Sequence, residues 1–398
     1  MKQLYILKGA HGSGKTTFLK ERGLMPYTIS QEQLQMLFLA PALGLQKGKM
    51  FAERGNISNM ILNLLEMRMQ NGDTIFIDGV HAKVSEIQKY HSLIVQYGYE
   101  CVIIDFSSVE LETALKQNRL KDKMLVTPEY LIEQYYNGLE TSKKQLNYQV
   151  LPYYEVDDYF QLISKPIKVD RYEAIVHIGD IHATLEPLQR FWKESYHQNH
   201  FYIFTGDFLD RGLDNVDTLK FFLSIQRLPN VLFLEGNHEG YLHQWAHNQK
   251  SRSLIFENET KKQLESAFVN KKEVRRFLRK LKDHFYYEYA GKKVLVTHGG
   301  LSFIPSRLFL TSSEQLIKGV GDFRTPIDSV FDENTEENEF QVHGHRNFGL
   351  KPFTVDTSSF NLEGAVENGG AMRVLTLTKN GFHTREYKNQ NEKTLVRG

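Results

Sequence analysis

One cysteine in 398 residues, Cys101, leaves no second thiol for a disulfide within the chain, so packing alone must hold the fold together. Cys101 sits inside the apolar run Glu100 to Phe106, where a packed core thiol is expected rather than a reactive one. No run of about 18 apolar residues occurs, which excludes an ordinary membrane-spanning helix. The N-terminus enters a strand-like run instead of a charged stretch followed by a signal-type apolar segment, and a soluble, cytoplasmic protein is expected. Charge of one sign is lacking too: 49 basic and 48 acidic residues leave a net +1. No global field recruits nucleic acid, and any such binding must be local. There is no internal repeat of fixed period and no low-complexity tract. At this length two domains are expected and three are allowed.

What the chain does have is apolar strands that end in polar residues. Phe201 to Thr205 (FYIFT) runs into Gly206-Asp207-Phe208-Leu209-Asp210-Arg211-Gly212. AIVHI leads into Gly179-Asp180-Ile181-His182, and VLFLE into Gly236-Asn237-His238-Glu239. KVLVT ends at His298-Gly299-Gly300, and Phe340-Gln341-Val342 at His343-Gly344-His345. A single strand followed by Gly-Asp is ordinarily a turn. Five strand ends that all deliver Asp, Asn or His point to a shared crevice at the carboxyl ends of a sheet. Mixed carboxylate and imidazole ligands suit Mn, Fe or Zn, and a set this large suits two divalent ions sharing one bridging carboxylate.

In order and spacing, Ala174 to Lys388 resembles the binuclear metallophosphoesterases, in the branch that holds the PPP-type phosphatases. The resemblance implies that Asp180 and His182 hold a first metal together with His345, and that Asp207 bridges both ions. Asn237, His298 and a further imidazole of the set would complete the second. It also implies that His238, paired with Asp210, contacts the phosphate and protonates the leaving oxygen, and that Arg211 clamps the phosphate. Mn²⁺ is expected ahead of Fe or Zn. Ala183 stands where many members have Gly, and Arg346 follows His345 where Thr is common.

At the other end, Lys2 to Leu7 runs into Lys8-Gly9-Ala10-His11-Gly12-Ser13-Gly14-Lys15-Thr16-Thr17, a G-x-x-x-x-G-K-T motif between a strand and a helix. Backbone N–H groups of Gly9, Gly12, Ser13, Gly14, Lys15, Thr16 and Thr17 would cradle the phosphates of ATP. Lys15 would reach the β and γ phosphates and the Thr16 hydroxyl would bind Mg²⁺. A segment over 27–39, a long helix over 53–71 (Ile57, Ile61, Leu64, Leu65, Arg68) and strands at Thr74 to Ile77 and Cys101 to Phe106 follow. This alternation predicts a parallel sheet flanked by helices.

This half resembles the 5′-polynucleotide kinase module. Its frame I-S-x-D-x-[LI]-R reads Ile29-Ser30-Gln31-Glu32-Gln33-Leu34-Gln35 here, placing Glu32 at the general-base position and Gln35 where an Arg is expected. Glu adds a methylene, about 1 Å of reach, and displacement on that scale can cost ~10²-fold. Gln lacks the charged fork. Asp78-Gly79-Val80-His81 stands at the family's D-[AG]-T-[HN], and Arg119 stands where a lid arginine over the ATP phosphates is expected.

The expected fold class is therefore α/β: a P-loop kinase parallel sheet flanked by helices over 1–147, a linker over 148–172, and a metallophosphoesterase α/β sandwich of two sheets over 173–398. The Lys- and Arg-rich stretch Asn248 to His284 would form a helix with a basic face, read first as a solvated surface and second as a nucleic-acid track. Leu362 to Val366 and Arg373 to Leu377 are expected as closing strands, and the last ten residues as frayed. Together the halves resemble bacterial and phage polynucleotide kinase-phosphatases. The implied function is healing of nucleic-acid ends, RNA ahead of DNA: a phosphatase for 3′-phosphate or 2′,3′-cyclic phosphate, and an ATP-dependent 5′-hydroxyl kinase. No ligase motif of the type K-x-D-G follows, so a separate ligase is expected as partner; a dimer is allowed. One alternative is a PPP-type phosphoprotein or dinucleoside-polyphosphate phosphatase with a nucleotide-sensing P-loop half. Another is an ATP-dependent RNA-binding module.

Overall fold

A computed structural model describes residues 2–37, 54–121, 126–138 and 147–390. The end of the 27–39 segment and the expected fraying after 390 lie outside the described residues. The chain divides into two units, one running up to Ser164 and including Arg307–Ser313, the other comprising Lys165–Ser306 and the chain from Glu314 onward.

In the first unit β1 (Gln3–Lys8) is buried at every position. Strands apolar on both sides belong in the middle of a parallel sheet. β1 indeed lies between β3 (Ile75–Asp78) and β4 (Glu100–Asp105), with β2 (Thr28–Ser30) and β5 (Gln149–Pro152) outside, all parallel in the order β2-β3-β1-β4-β5. The two-residue period of the strand sorts its side chains. Leu4 and Ile6 pack with Ile57, Ile61, Leu65 and Met69 of the helix Arg54–Gln70, while Tyr5 and Leu7 face a second core containing Phe18, Phe76 and Val156. Residues 148–164, expected as linker, instead supply β5 and the helix Val156–Ser164, because their apolar side chains complete that second core. Phe160 stacks on Phe309 at 4.6 Å, and the carbonyl of Phe309 accepts from the hydroxyl of Thr74.

The second unit is a sandwich of two five-stranded sheets. One has the order β15-β14-β7-β8-β9, with β7 (Ala174–Ile178), β8 (His200–Phe204) and β9 (Val231–Phe233) parallel and the hairpin β14 (Ala371–Thr378) and β15 (Gly381–Lys388) on its edge. The other has the order β13-β12-β11-β10-β6, from β6 (Ile167–Lys168), β10 (His284–Tyr289), β11 (Lys292–Thr297), β12 (Glu339–His343) and β13 (Ser359–Asn361). Ile175, Ile203 and Leu375 from one sheet meet Val294, Val296 and Val342 from the other. His177 is fully buried here, its Nδ1 3.0 Å from the Leu375 carbonyl and its Nε2 2.9 Å from the Tyr287 hydroxyl. On the outer face Val176, Ile178 and Phe204 pack against helices, including Asn215–Ile225.

Two expectations change. Leu362 to Val366 is a loop, not a strand: β13 stops at Asn361, Ala365 takes φ +49, and a 3₁₀ turn covers Val366–Asn368. Its backbone is committed elsewhere, with Leu362 N–H donating to the His343 carbonyl. The basic stretch is not one helix either. A π-helical turn over Phe256–Thr260 leads into the helix Lys261–Ser266, and Lys271–Leu278 forms another that buries Val274 and Phe277 while leaving Arg276 and Arg279 exposed.

Candidate functional site

The carboxyl ends of β7, β8, β9, β11 and β12 bring Asp180, His182, Asp207, Asn237, His298 and His345 together in the second unit. Three overlapping groups of side chains have ligand atoms close enough for a shared cation: Asp180, His182 and Glu363; His182, Asp207 and His238; Asp207, His298 and His345. Asp207 lies in two of them. The His298 Nε2 stands 3.2 Å from the Asp207 carboxylate and 3.1 Å from Asn237 Oδ1. His345, expected beside Asp180 and His182, places its ring with Asp207 and His298 instead; only its backbone N–H reaches Asp180, at 2.8 Å. His343 is turned away, with Nε2 2.8 Å from Asp328. Glu363, absent from the sequence-based set, takes the place expected of His345.

The backbone here is strained. His182, Ala183, Asp207, Asp210, Arg211 and His345 all have φ between +44 and +77, a region costly for side chains other than Gly. Strain of about 1–3 kcal/mol per residue persists only where surrounding bonds over-determine it. Glu239 supplies such bonds: its buried carboxylate accepts from the N–H groups of Asp207, Phe208 and Gly236 at 2.8 to 2.9 Å. Burial first, and then the charge of Asp207, push its carboxyl up to about 7. Gly206, at φ +108, must be glycine, since a Cβ would approach the Gly236 nitrogen to 2.6 Å. Asn215 fixes the next turn, accepting from Asp210 N–H at 2.8 Å and donating to the Gly212 carbonyl at 2.9 Å.

Asp210 Oδ2 lies 2.8 Å from His238 Nδ1, and its Oδ1 accepts from the Thr260 hydroxyl at 2.6 Å. Thr260 closes the π-helical turn, a local irregularity frequent at functional sites. Burial opposes a charged His238, yet Asp207 and Asp210 raise its pKa above the ordinary value. Arg211 is half-exposed, with Nη1 3.3 Å from His182 Nε2 and 3.6 Å from Glu367.

The donor set fits divalent metal. Burial and the neighbouring Glu363 push Asp180 well above the carboxylate range, as crowded buried acids do. Asp207 is also buried, but His298 and His238 hold its carboxyl well below that range. Among the described residues, His182 Nδ1 and Glu363 Oε2 are buried and have no hydrogen-bond partner. Buried polar atoms left this way are costly, and ligation would satisfy Glu363 Oε2, which faces His182 Nε2 at 4.0 Å. Two divalent ions would neutralise phosphoryl oxygens and acidify water; Arg211 would be placed to orient a phosphate and His238 to hold a proton.

The first unit forms its own phosphate cradle. Lys15 Nζ is buried beneath the P-loop, donating to the carbonyls of Gly9 and Ala10 at 2.8 and 2.7 Å. Burial lowers its pKa to about 8, which Asp78 partly offsets. Gly12 (φ +82) lies against the Ala114 backbone, leaving no room for a Cβ. The Thr16 hydroxyl donates to Asp78 at 2.8 Å, a Thr–Asp pair suited to Mg²⁺. Gly12, Gly14, Lys15, Thr16 and Thr17 line a cavity of ≈ 130 Å³ together with Glu32, Gln35 and Asp78. Gly9 and Ser13 complete the loop beneath it, where Ser13 Oγ is 3.5 Å from Lys15 Nζ. Arg119 is not in the lining: it is exposed and paired with Glu129 at 2.7 Å. Lys121 lines the cavity instead, 3.3 Å from Glu32. His81 is a core residue, bonded to the Leu7 carbonyl and the Tyr90 hydroxyl.

The two halves of the chain match different family models. Residues 174–370 match the family model of the calcineurin-like phosphoesterases, and residues 4–124 that of an AAA domain. The chain thus carries a region similar to AAA domains, followed by one similar to calcineurin-like phosphoesterases. Among similar proteins, serine/threonine-protein phosphatase T of Aspergillus oryzae is 26% identical over 205 residues, 50% of this chain and 40% of that protein. Serine/threonine-protein phosphatase 7 of Arabidopsis thaliana is 37% identical over 75 residues, 18% of each. The chain therefore spans less than half the length of either relative. A solved serine/threonine phosphatase from Saccharomyces cerevisiae is 15% identical, covering 61% of this chain and 92% of that one, with a TM-score of 0.40. Among the described residues no helix is long and apolar enough to cross a membrane.

Proposed function

We propose that the chain is a bifunctional nucleic-acid end-healing enzyme. Its phosphoesterase unit removes a 3′-phosphate or 2′,3′-cyclic phosphate with the help of two divalent ions, Mn²⁺ foremost. Its P-loop unit transfers phosphate from ATP to a 5′-hydroxyl. RNA ends are the substrate ahead of DNA ends, and sealing falls to a separate ligase. One observation carries this reading: Glu32 lines the same cavity as Lys15, Thr16 and Asp78. A carboxylate lining the phosphate cradle is placed to accept the proton of an attacking hydroxyl. Lys121 beside Glu32 supplies a cation in the neighbourhood where Gln35 has lost one.

A second reading is favoured by the relatives named above, which are serine/threonine phosphatases. In it the phosphoesterase unit acts on phosphoprotein and the P-loop unit senses nucleotide. The deciding experiment measures radiolabel transfer from [γ-³²P]ATP to a 5′-hydroxyl oligonucleotide beside phosphate release from a 3′-phosphorylated oligonucleotide and from a phosphoserine peptide. Transfer together with 3′-phosphate release is expected. Release from the peptide alone, without transfer, overturns the end-healing reading.

A further inference from the structure

Beside the metal-binding cluster two aromatic rings stand in the open. Phe323 is 58% exposed and Phe348 is 63% exposed, where rings of this size are ordinarily buried. Neither hangs from a loose end. Phe323 sits in the loop Gly319 to Pro326, whose carbonyls at Val320 and Asp322 accept from the guanidinium of Arg346. Arg346 is itself buried, and Asp322 further closes the loop by accepting from Arg324 N–H at 2.9 Å. Arg346, the departure noted after His345, is therefore a positioning residue that pins Phe323 in place. The Phe323 ring lies 6.5 Å from the His345 ring at 78°, edge against face. Phe348 lies three residues beyond His345, with the Arg324 guanidinium 6.0 Å from its ring centre. Both rings line one groove with Arg324 and Lys351.

Exposed rings beside Arg324 and Lys351, at the edge of a phosphate site, match the chemistry of a nucleotide. The rings offer faces to a base, and the cations attract the neighbouring backbone phosphates. We propose that Phe323 and Phe348 form a stacking platform for the base of the terminal nucleotide whose phosphate the site removes. This rests on the end-healing reading and deepens it, since a platform of this kind accepts any base and gives selectivity for nucleic acid without selectivity for sequence.

The test uses the full chain with Mn²⁺ and a non-hydrolysable 3′-methylenephosphonate oligonucleotide carrying 2-aminopurine as its terminal base. Binding should quench the 2-aminopurine, and the double variant Phe323→Leu/Phe348→Leu, checked for an unchanged melting temperature, should lose the quench. In hydrolysis the same variant should lower the ratio of kcat/KM for a 3′-phosphorylated oligonucleotide over glycerol 2-phosphate roughly 5- to 150-fold, the range for one base stacked on an aromatic side chain. A wild type that cleaves the oligonucleotide without quenching its analogue, or a variant that loses both substrates equally, overturns the platform and leaves end healing standing. A wild type that cleaves glycerol 2-phosphate or phosphoserine but not the oligonucleotide overturns the end-healing reading and the platform with it.

Discussion

The P-loop unit would hold phosphate with one contiguous segment, residues 9 to 17, in which backbone N–H groups and a single buried lysine do most of the binding. The phosphoesterase unit gathers its donors from six separate places between Asp180 and Glu363, and nearly all of them are titratable and buried. A contiguous cradle tolerates change around it, because its donors are main-chain atoms. A gathered cluster of buried charges is all-or-none, because removing one member leaves the others unpaired. The two sites should therefore fail differently when damaged.

The largest contrast comes from Asp207, shared by two of the ligand groups. Asp207→Ala should abolish phosphate release from every substrate, while equilibrium binding of ATP to the P-loop unit stays within about twofold of wild type. Isothermal titration with ATP beside a phosphate-release assay checks both. Substantial release by Asp207→Ala would refute the two-metal assignment.

His238 sharpens the contrast inside the phosphoesterase unit. Held by Asp210 with its pKa raised, it would carry a proton toward a departing oxygen in the proposed reaction. His238→Ala should reduce kcat on a nucleotide 3′-phosphate by ~10²–10⁴-fold, the usual span for general acid assistance. A nitrophenyl ester, whose leaving group departs without a proton, should be comparatively spared. Equal losses on the two substrates count against the role.

In the P-loop unit the effect expected is smaller. Lys121 is the cation next to Glu32, and Lys121→Ala should lower kinase turnover by roughly 10- to 100-fold, on the scale of one charged hydrogen bond. Arg119→Ala, at a residue occupied with Glu129, should change turnover little. The opposite ranking in a steady-state kinase assay would return the lid role to Arg119.

Much of this was legible in the sequence because strands leave a period and a stop. β7, β8, β9, β11 and β12 read as apolar runs ending in Asp, Asn or His, and that order is topological information. The P-loop read as a single stretch. Glu363 did not, because LEGAV has the composition of a strand and only the positive φ of Ala365 and the bond from Leu362 to His343 turn it into a ligand-bearing loop. Thr260 was hidden because a π-helical turn has no sequence signature. Arg119 and Lys121 are two residues apart, and which of them faces the cavity depends on where the helix Leu111–Arg119 ends. The linker was drawn too long at its start, because Tyr153, Tyr159 and Phe160 pack in the core of the first unit while Tyr172 packs in that of the second.

The two units nevertheless share one device, a fully buried neutral histidine: His81 in the first and His177 in the second, each pushed by burial down to about 4. In the unfolded chain such a group titrates near 6.5. Between pH 6.5 and 4 the unfolded state binds a proton that the folded state does not, so stability rises with pH across that window. The contribution is complete above about pH 6.5, is lost as pH falls, and stops changing below about pH 4. A shift of this size amounts to roughly 3 kcal/mol for each histidine. His177→Gln keeps a partner for the Leu375 carbonyl and the Tyr287 hydroxyl but cannot take up the proton. It should therefore remove about 1 kcal/mol per pH unit from the acid slope of the phosphoesterase unit, and leave the slope of the P-loop unit, which His81 still governs, as it was. Urea denaturation of the full chain at pH 7, 6 and 5, with the two units followed by hydrogen exchange, reads the two slopes separately. An unchanged slope in the phosphoesterase unit would mean that His177 stays protonated between the sheets, with its second N–H donated to Tyr287.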